Sequence, residues 1–206
     1  MMIDKEIFSN MLLNAADLWQ KNTSLLSEID SRFGDGDHGI TIGKIARVTV
    51  ESVQDWGEKS IREFIGALGD GVMGISGGSA GPLYGTLVGG LAEPLGDETE
   101  IDGALLKKML QGSLSELSGI TRARVGDKTM MDALIPAVEA AIASCGDIPD
   151  ILGAAAKAAA EGAEYTKDIA SKFGRARSYG DRTIGTRDAG AISTSLLFQG
   201  LYEALV

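Results

Sequence analysis

Apolar residues in this 206-residue chain recur with the period of an α-helix along most of its length, and that period limits the possible folds more than any other feature. Ile7, Phe8, Met11, Leu12, Ala15, Leu18 and Trp19 fall at i, i+3, i+4 and i+7, one stripe of a helix. A second stripe runs through Ile42, Ile45, Thr49, Val53 and Trp56. A third opens with Ser60-Ile-Arg-Glu63, the spacing of a capping box, and continues through Ile61, Phe64, Ile65, Leu68 and Val72. Further helical stretches are expected at 80–92, 102–118, 129–145 and 150–172, before a C-terminal helix carrying Leu196, Leu197, Leu201 and Leu205. No alternating β-branched run competes; the longest candidate, Val48-Thr-Val50, sits inside a helical stripe. The pattern predicts an all-α fold of about eight antiparallel helices, packed as a bundle or a closed barrel. No linker, low-complexity tract or repeat divides residues 1–206, which are expected to form one domain.

Hydrophobic residues make up 44% of the chain, enough for a sizeable core and too many for wholesale disorder. Against 29 Asp+Glu stand 19 Lys+Arg, a formal charge of −10, which argues against a general nucleic-acid or anionic-membrane binder. The single cysteine, Cys145, excludes an internal disulfide framework and a cysteine metal cluster. The opening Met-Met-Ile-Asp-Lys-Glu lacks the basic and apolar regions of a signal peptide, and no apolar run is long enough to span a bilayer. A soluble protein of the reducing cytoplasm is expected.

A helical bundle has little use for 28 glycines. They cluster at 34–39, 66–85 and 174–190, as tight helix crossings and caps or as loops whose backbone approaches a ligand. Eight of the 19 basic residues fall in two short segments: Arg122, Arg124 and Lys128, then Lys172, Arg175, Arg177, Arg182 and Arg187. Cations gathered on an acidic protein suit a small anion such as phosphate, unless they are simply solvated loop residues. Asp30, Asp35 and Asp37 place three carboxylates within eight positions, and like charges that close repel unless a cation neutralises them. Oxygen-only ligands favour Mg²⁺ or Ca²⁺; an exposed acidic turn is the plain alternative. The spacing fits neither an EF-hand nor a P-loop, and the Gly-x-Gly-x-x-Gly patterns at 34–39 and 69–74 follow no strand. Because His38-Gly39 opens the second stripe, that helix N-terminus can offer N–H groups to phosphate. Chemistry alone leads to a Mg-nucleotide site on a helical bundle.

Four motifs carry the chain further. Gly34-Asp-Gly-Asp-His-Gly39, Gly77-Gly-Ser-Ala-Gly-Pro-Leu-Tyr-Gly85, Gly126-Asp-Lys-Thr-Met130, and Gly174-Arg-Ala176 through Ile184-Gly185 to Asp188-Ala-Gly190 stand in the order and spacing of one family. Over nearly its whole length the chain resembles the L subunit of dihydroxyacetone kinase, and the C-terminal nucleotide domain of the single-chain kinases. The resemblance implies an eight-helix antiparallel barrel with ADP or ATP at one end and two Mg²⁺ ions held by Asp30, Asp35 and Asp37. It implies that His38, Gly39, Ile40 and Thr41 face the phosphates and ribose, and that Ser79 and Ala80 form a phosphate-facing turn. It places Thr121 and Met130 at the base or sugar, Arg175 against phosphate as the catalytic cation, and Asp188, Ala189 and Gly190 in a closing turn. The chain departs from the family at Ser79 and Ala80, which are exchanged, at Thr121 in place of a common glycine, and at Ala189 in place of a frequent proline.

The resemblance also implies partners. A separate K subunit would hold the ketose, dihydroxyacetone or a related small ketose, while this chain supplies the phosphoryl donor. ADP as a bound cofactor, recharged by the M subunit of a phosphotransferase system, is the expected form; freely exchanging ATP is the alternative. A nucleotide-dependent co-regulator that binds a transcription factor is an expectation of a different class, and His38 as a phosphohistidine carrier is another. A homodimer or a hetero-oligomer of K and L subunits is expected.

Overall fold

The computed structural model describes residues 1–206 and contains nine α-helices and no β-sheet. They are α1 (Lys5–Lys21), α2 (Thr23–Ser31), α3 (His38–Gln54), α4 (Ile61–Met73), α5 (Ala80–Gly90), α6 (Gly103–Ile120), α7 (Met131–Ala143), α8 (Ile148–Tyr165) and α9 (Ala189–Glu203). Two stretches of 3-10 helix, Thr166–Asp168 and Arg175–Thr183, lie in the segment before α9. Side chains cap the elements, at Ser60 as the sequence suggests and at several aspartates besides. Ser60 and Glu63 form a reciprocal capping box on α4, Asp147 and Asp150 form another on α8, and Asp4, Asp102 and Asp188 cap α1, α6 and α9.

Eight of the helices close into a ring, α1–α3–α4–α5–α6–α7–α8–α9 and back to α1, each packed on its neighbours. The all-α barrel expected of the chain is therefore present, with neighbours alternating in direction. Its centre is one cluster of 46 buried residues. Trp56 stacks on Phe64, with ring centroids 3.6 Å apart, and plugs the end where α4, α6 and α8 begin. Trp19 and Tyr84 meet edge to face at 5.5 Å nearer the other end. Because directions alternate, α3, α5, α7 and α9 all begin at that second end.

Two boundaries differ from the periodicity. Residues 23–31 form α2, packed outside the ring against α3; it buries only Leu26, so it leaves no apolar stripe to read. The alanine-rich helix stops at Tyr165 instead of reaching 172. Thr166 turns its hydroxyl back to the Ala163 carbonyl at 2.6 Å and accepts from the Asp188 N–H at 2.8 Å, which diverts the chain toward α9.

Candidate functional site

A cavity of about 540 Å³ opens where α3, α5, α7 and α9 begin. Its wall takes residues from every one of those four N-termini: Asp37 and His38, Ser79 and Ala80, Met130 and Met131, and Asp188 to Gly190. The first N–H groups of a helix have no partner within it, and the helix dipole adds partial positive charge there. On α3, α5 and α7 no N-cap side chain takes up those donors. On α7 the Thr129 hydroxyl takes the Met131 N–H at 3.2 Å, and on α9 Asp188 caps through the Ala191 N–H. The N-termini of α3 and α5 are therefore the ones that offer donors to an anion in a protein that is otherwise strongly acidic.

The acidic cluster lies at the rim. One oxygen from each of Asp30, Asp35 and Asp37 falls within 4.8 Å of the others. Asp30 comes from the last turn of α2, the short helix that turns the chain back toward the mouth. Its main-chain carbonyl accepts from Gly34 at 2.7 Å, and a Cβ on Gly34 would strike the Asp30 carboxylate at 2.3 Å. Glycine is therefore required there for the loop to curl over the carboxylate. Burial raises the Asp37 carboxyl above its ordinary value, and the neighbouring charges of Asp35 and Asp30 raise it further. Burial works the same way on Asp35, but its own backbone N–H and the Arg175 guanidinium outweigh it and hold that carboxyl low. Arg175 pairs directly with Asp35. Three oxygen donors with this mutual repulsion fit a hard divalent cation, and the adjoining N-termini fit its phosphate ligands.

The second glycine cluster divides by function. Gly69 packs against the backbone of Gly89, with a Cβ at 2.9 Å, and Gly85 against that of Met73 at 2.7 Å, so these are crossing residues of α4 and α5. Gly77 and Gly78 instead have φ of 139° and 52° and form the turn that lays the chain beside Asp37 before α5.

The floor of the cavity is a polar network. His38 Nε2 lies 2.9 Å from the Ser193 hydroxyl, which lies 2.7 Å from the Tyr84 hydroxyl; Tyr84 also meets Thr194 at 2.9 Å. Trp19 donates to the Ser193 carbonyl at 2.7 Å. Burial lowers the His38 pKa against the opposing charge of Asp30 and the carbonyl of Ala189, so its ring is neutral near pH 7. A buried, neutral imidazole bonded to both Ser193 and the Ala189 carbonyl has no ring nitrogen free to carry a phosphate.

The structure brings Asp30, Asp35, Asp37, His38, Ser79, Ala80, Thr121, Met130, Arg175, Asp188, Ala189 and Gly190 together around this cavity. It does not bring Gly39 or the side chains of Ile40 and Thr41 to the cavity wall. Gly39 backs onto the Thr23 carbonyl, Ile40 is 60% exposed, and Thr41 is buried beneath the Gly77 turn. One helical turn carries successive side chains around its axis, so only the first of the four faces the mouth. Phe33 and Ser193 belong to the site or its floor and carried no signal in the sequence, while Leu83 and Tyr84 stood inside the Gly77–Gly85 motif without a role assigned to them. Phe33 packs on Tyr179 at 5.2 Å, and Arg182 lies over the same ring at 5.1 Å, which folds the segment 169–186 across the mouth. Lys128, grouped by sequence with the phosphate-seeking cations, is instead buried, its ammonium bonded to backbone carbonyls.

A model of the DAK2 domain matches residues 32–203. The chain belongs to the DAK2 domain family. This DAK2 domain is 31% identical over 206 residues to the ADP-binding subunit DhaL of PEP-dependent dihydroxyacetone kinase 1 of Listeria innocua, and the match covers all of both chains. It is 30% identical to the L-erythrulose kinase of Pectobacterium atrosepticum, covering 94% of this chain but 34% of that one. The crystal structure of the dihydroxyacetone kinase of C. freundii in complex with AMP-PNP and Mg²⁺ superposes with a TM-score of 0.72 at 24% identity, over 95% of this chain and 33% of that one. The match spans the full length of the Listeria subunit and about a third of the Pectobacterium and C. freundii kinases. It is a member of the dihydroxyacetone kinase subunit family of phosphotransferases.

Proposed function

We propose that this chain is the nucleotide-binding subunit of a kinase for dihydroxyacetone or a related small ketose. It holds ADP or ATP with two Mg²⁺ ions and hands a phosphoryl group to a sugar carried by a partner K subunit. The observation that supports this most is the convergence of three carboxylates, Arg175 and four helix N-termini on one cavity. Asp30, Asp35 and Asp37 would hold the cations, which when bound supply charge neutralisation across the phosphate oxygens. The N–H groups at Ser79 and Ala80 orient the phosphate chain, while the His38 N–H is turned to the Asp30 carboxylate at 3.4 Å and helps hold that carboxylate in place. Arg175 sits at the cluster on an exposed segment, placed to offset the charge of a moving phosphoryl group. Thr121, Met130 and the turn Asp188–Gly190 frame the apolar part of the cavity, where Leu83 and Met131 offer surface for a base.

The end-to-end match to a PEP-dependent subunit supports ADP as a resident cofactor, recharged by the M subunit of a phosphotransferase system. Its likeness to a domain of single-chain kinases supports free ATP as the second reading. Purified protein with its K partner separates them. ADP that survives gel filtration, with transfer from phosphoenolpyruvate through the phosphotransferase proteins, is the expected result. A nucleotide-free preparation that turns over ATP moves the assignment to the second reading. No transfer to dihydroxyacetone or a tetrose ketose from either donor refutes both.

A further inference from the structure

Residues 126–128 grip both ends of the segment that crosses the mouth. Lys128 has φ of +61°, a left-handed conformation seldom adopted by long side chains, and it is 4% exposed. Its ammonium donates to the carbonyls of Thr166 at 2.8 Å, Ile169 at 3.1 Å and Thr183 at 2.7 Å, and also contacts that of Thr186. The first two carbonyls lie where the segment leaves α8, the last two where it turns into α9. One ammonium therefore bridges both ends of the loop that carries Phe173, Arg175 and Tyr179, alongside direct bonds from the Gly185 N–H to the Lys167 carbonyl at 2.6 Å and from the Ser171 N–H to the Thr183 hydroxyl at 2.9 Å. An ammonium has three N–H donors and faces four acceptors here, so none is left for a ligand. Four carbonyl dipoles pointed at one spot repel each other unless a cation sits among them, as in an ion-binding ring of carbonyls. An outer clasp repeats the grip: Lys172 pairs with Asp127 at 3.0 Å and donates to the Gly126 carbonyl at 2.7 Å.

We propose that Lys128 is a positioning residue, a built-in monovalent cation that closes the base of segment 166–186 and thereby sets Arg175 against the carboxylate cluster. Its effect on nucleotide rests on the proposed function; the loop closure does not.

Lys128→Gly is the informative variant, because glycine suits the left-handed backbone and leaves a hole lined by the four carbonyls. By hydrogen exchange on the full chain without Mg²⁺ or nucleotide, amides of 169–186 should exchange about tenfold faster than in the wild type, with the ring helices unchanged. Methylammonium should restore their protection, and tetramethylammonium, which has no N–H, should not. Mg·ADP affinity should fall, and the double variant with Arg175→Ala should lie within about twofold of Arg175→Ala alone, since both remove the same contact. Wild-type exchange in the loop, or losses that multiply in the double variant, overturns the proposal. Should Lys128→Gly not fold, Lys128→Arg takes its place, because a planar guanidinium keeps the charge but cannot aim a compact ammonium at four oxygens. The exchange readout needs no nucleotide, so a wild-type chain that bound none would refute the proposed function and leave this inference to be decided by exchange alone.

Discussion

Asp37 lies between two roles that a substitution can separate. It stands at the N-cap of α3 yet makes no side-chain capping bond, and burial and its acidic neighbours both disfavour its charge. Replacing it should relieve repulsion without losing a cap. In Mg²⁺-free buffer, Asp37→Asn should unfold at or above the wild-type temperature. Saturating Mg·ADP should raise the wild-type midpoint by about 5–10 °C, the shift expected for ligand near 100-fold over its dissociation constant and a chain of this size. The variant should show almost none of that rise; a full rise would remove Asp37 from the cation site. Sequence spacing revealed this cluster because three acids in eight positions are chemically conspicuous. It misjudged Lys128 because an ammonium for phosphate and one for internal carbonyls look alike until the fold shows which oxygens surround it.

At the level of elements, α9 and the α4–α5 crossing each carry a test. Burial pushes the Asp188 carboxyl up to about 7, with Asp132 adding to the effect and Lys128 opposing it, while Asp188 caps α9 through the Ala191 N–H at 2.8 Å. Between the ordinary carboxylate value of about 4 and about 7, the folded chain therefore binds more protons than the unfolded one. This group's contribution falls as pH rises through that window and is level above it. Asp188→Asn keeps a capping side chain and removes the titration. Urea midpoints at about pH 5 and about pH 8 should show the variant gaining on the wild type toward the higher pH; a constant gap contradicts the raised carboxyl. On α4, a Cβ at Gly66 meets nothing within 4 Å, whereas one at Gly69 meets Gly89 backbone at 2.9 Å. Gly66→Ala should stabilise by about 0.5–1 kcal/mol through helix propensity. Gly69→Ala should destabilise by about 1–3 kcal/mol because two helix backbones must part. Denaturant unfolding of the pair checks both signs. The helical period of apolar residues showed eight helices directly, and the Ser60–Glu63 spacing showed one cap. The period missed α2, which buries one residue, and ran past Tyr165, where a hydroxyl and not a change of pattern ends the helix.

Across the whole molecule, an even ring of alternating helices gathers four N-termini at one end, and the acidic loop and segment 169–186 close over that end. The order of helices around the ring was not readable from periodicity, which gives each helix a buried face but no neighbour. The four family motifs were readable because they mark the same mouth from four places in the chain. The central claim is that Asp30, Asp35 and Asp37 hold divalent cations which anchor a diphosphate at that mouth. Calorimetric titration of ADP into the apoprotein, with Mg²⁺ and again with EDTA, tests it most directly. Binding should weaken on the order of 100-fold without Mg²⁺, about 2.7 kcal/mol, and Asp35→Ala should lose the Mg²⁺ dependence along with the affinity. Equal ADP affinity in EDTA, or an Asp35→Ala protein that keeps its Mg²⁺-dependent binding, would contradict it.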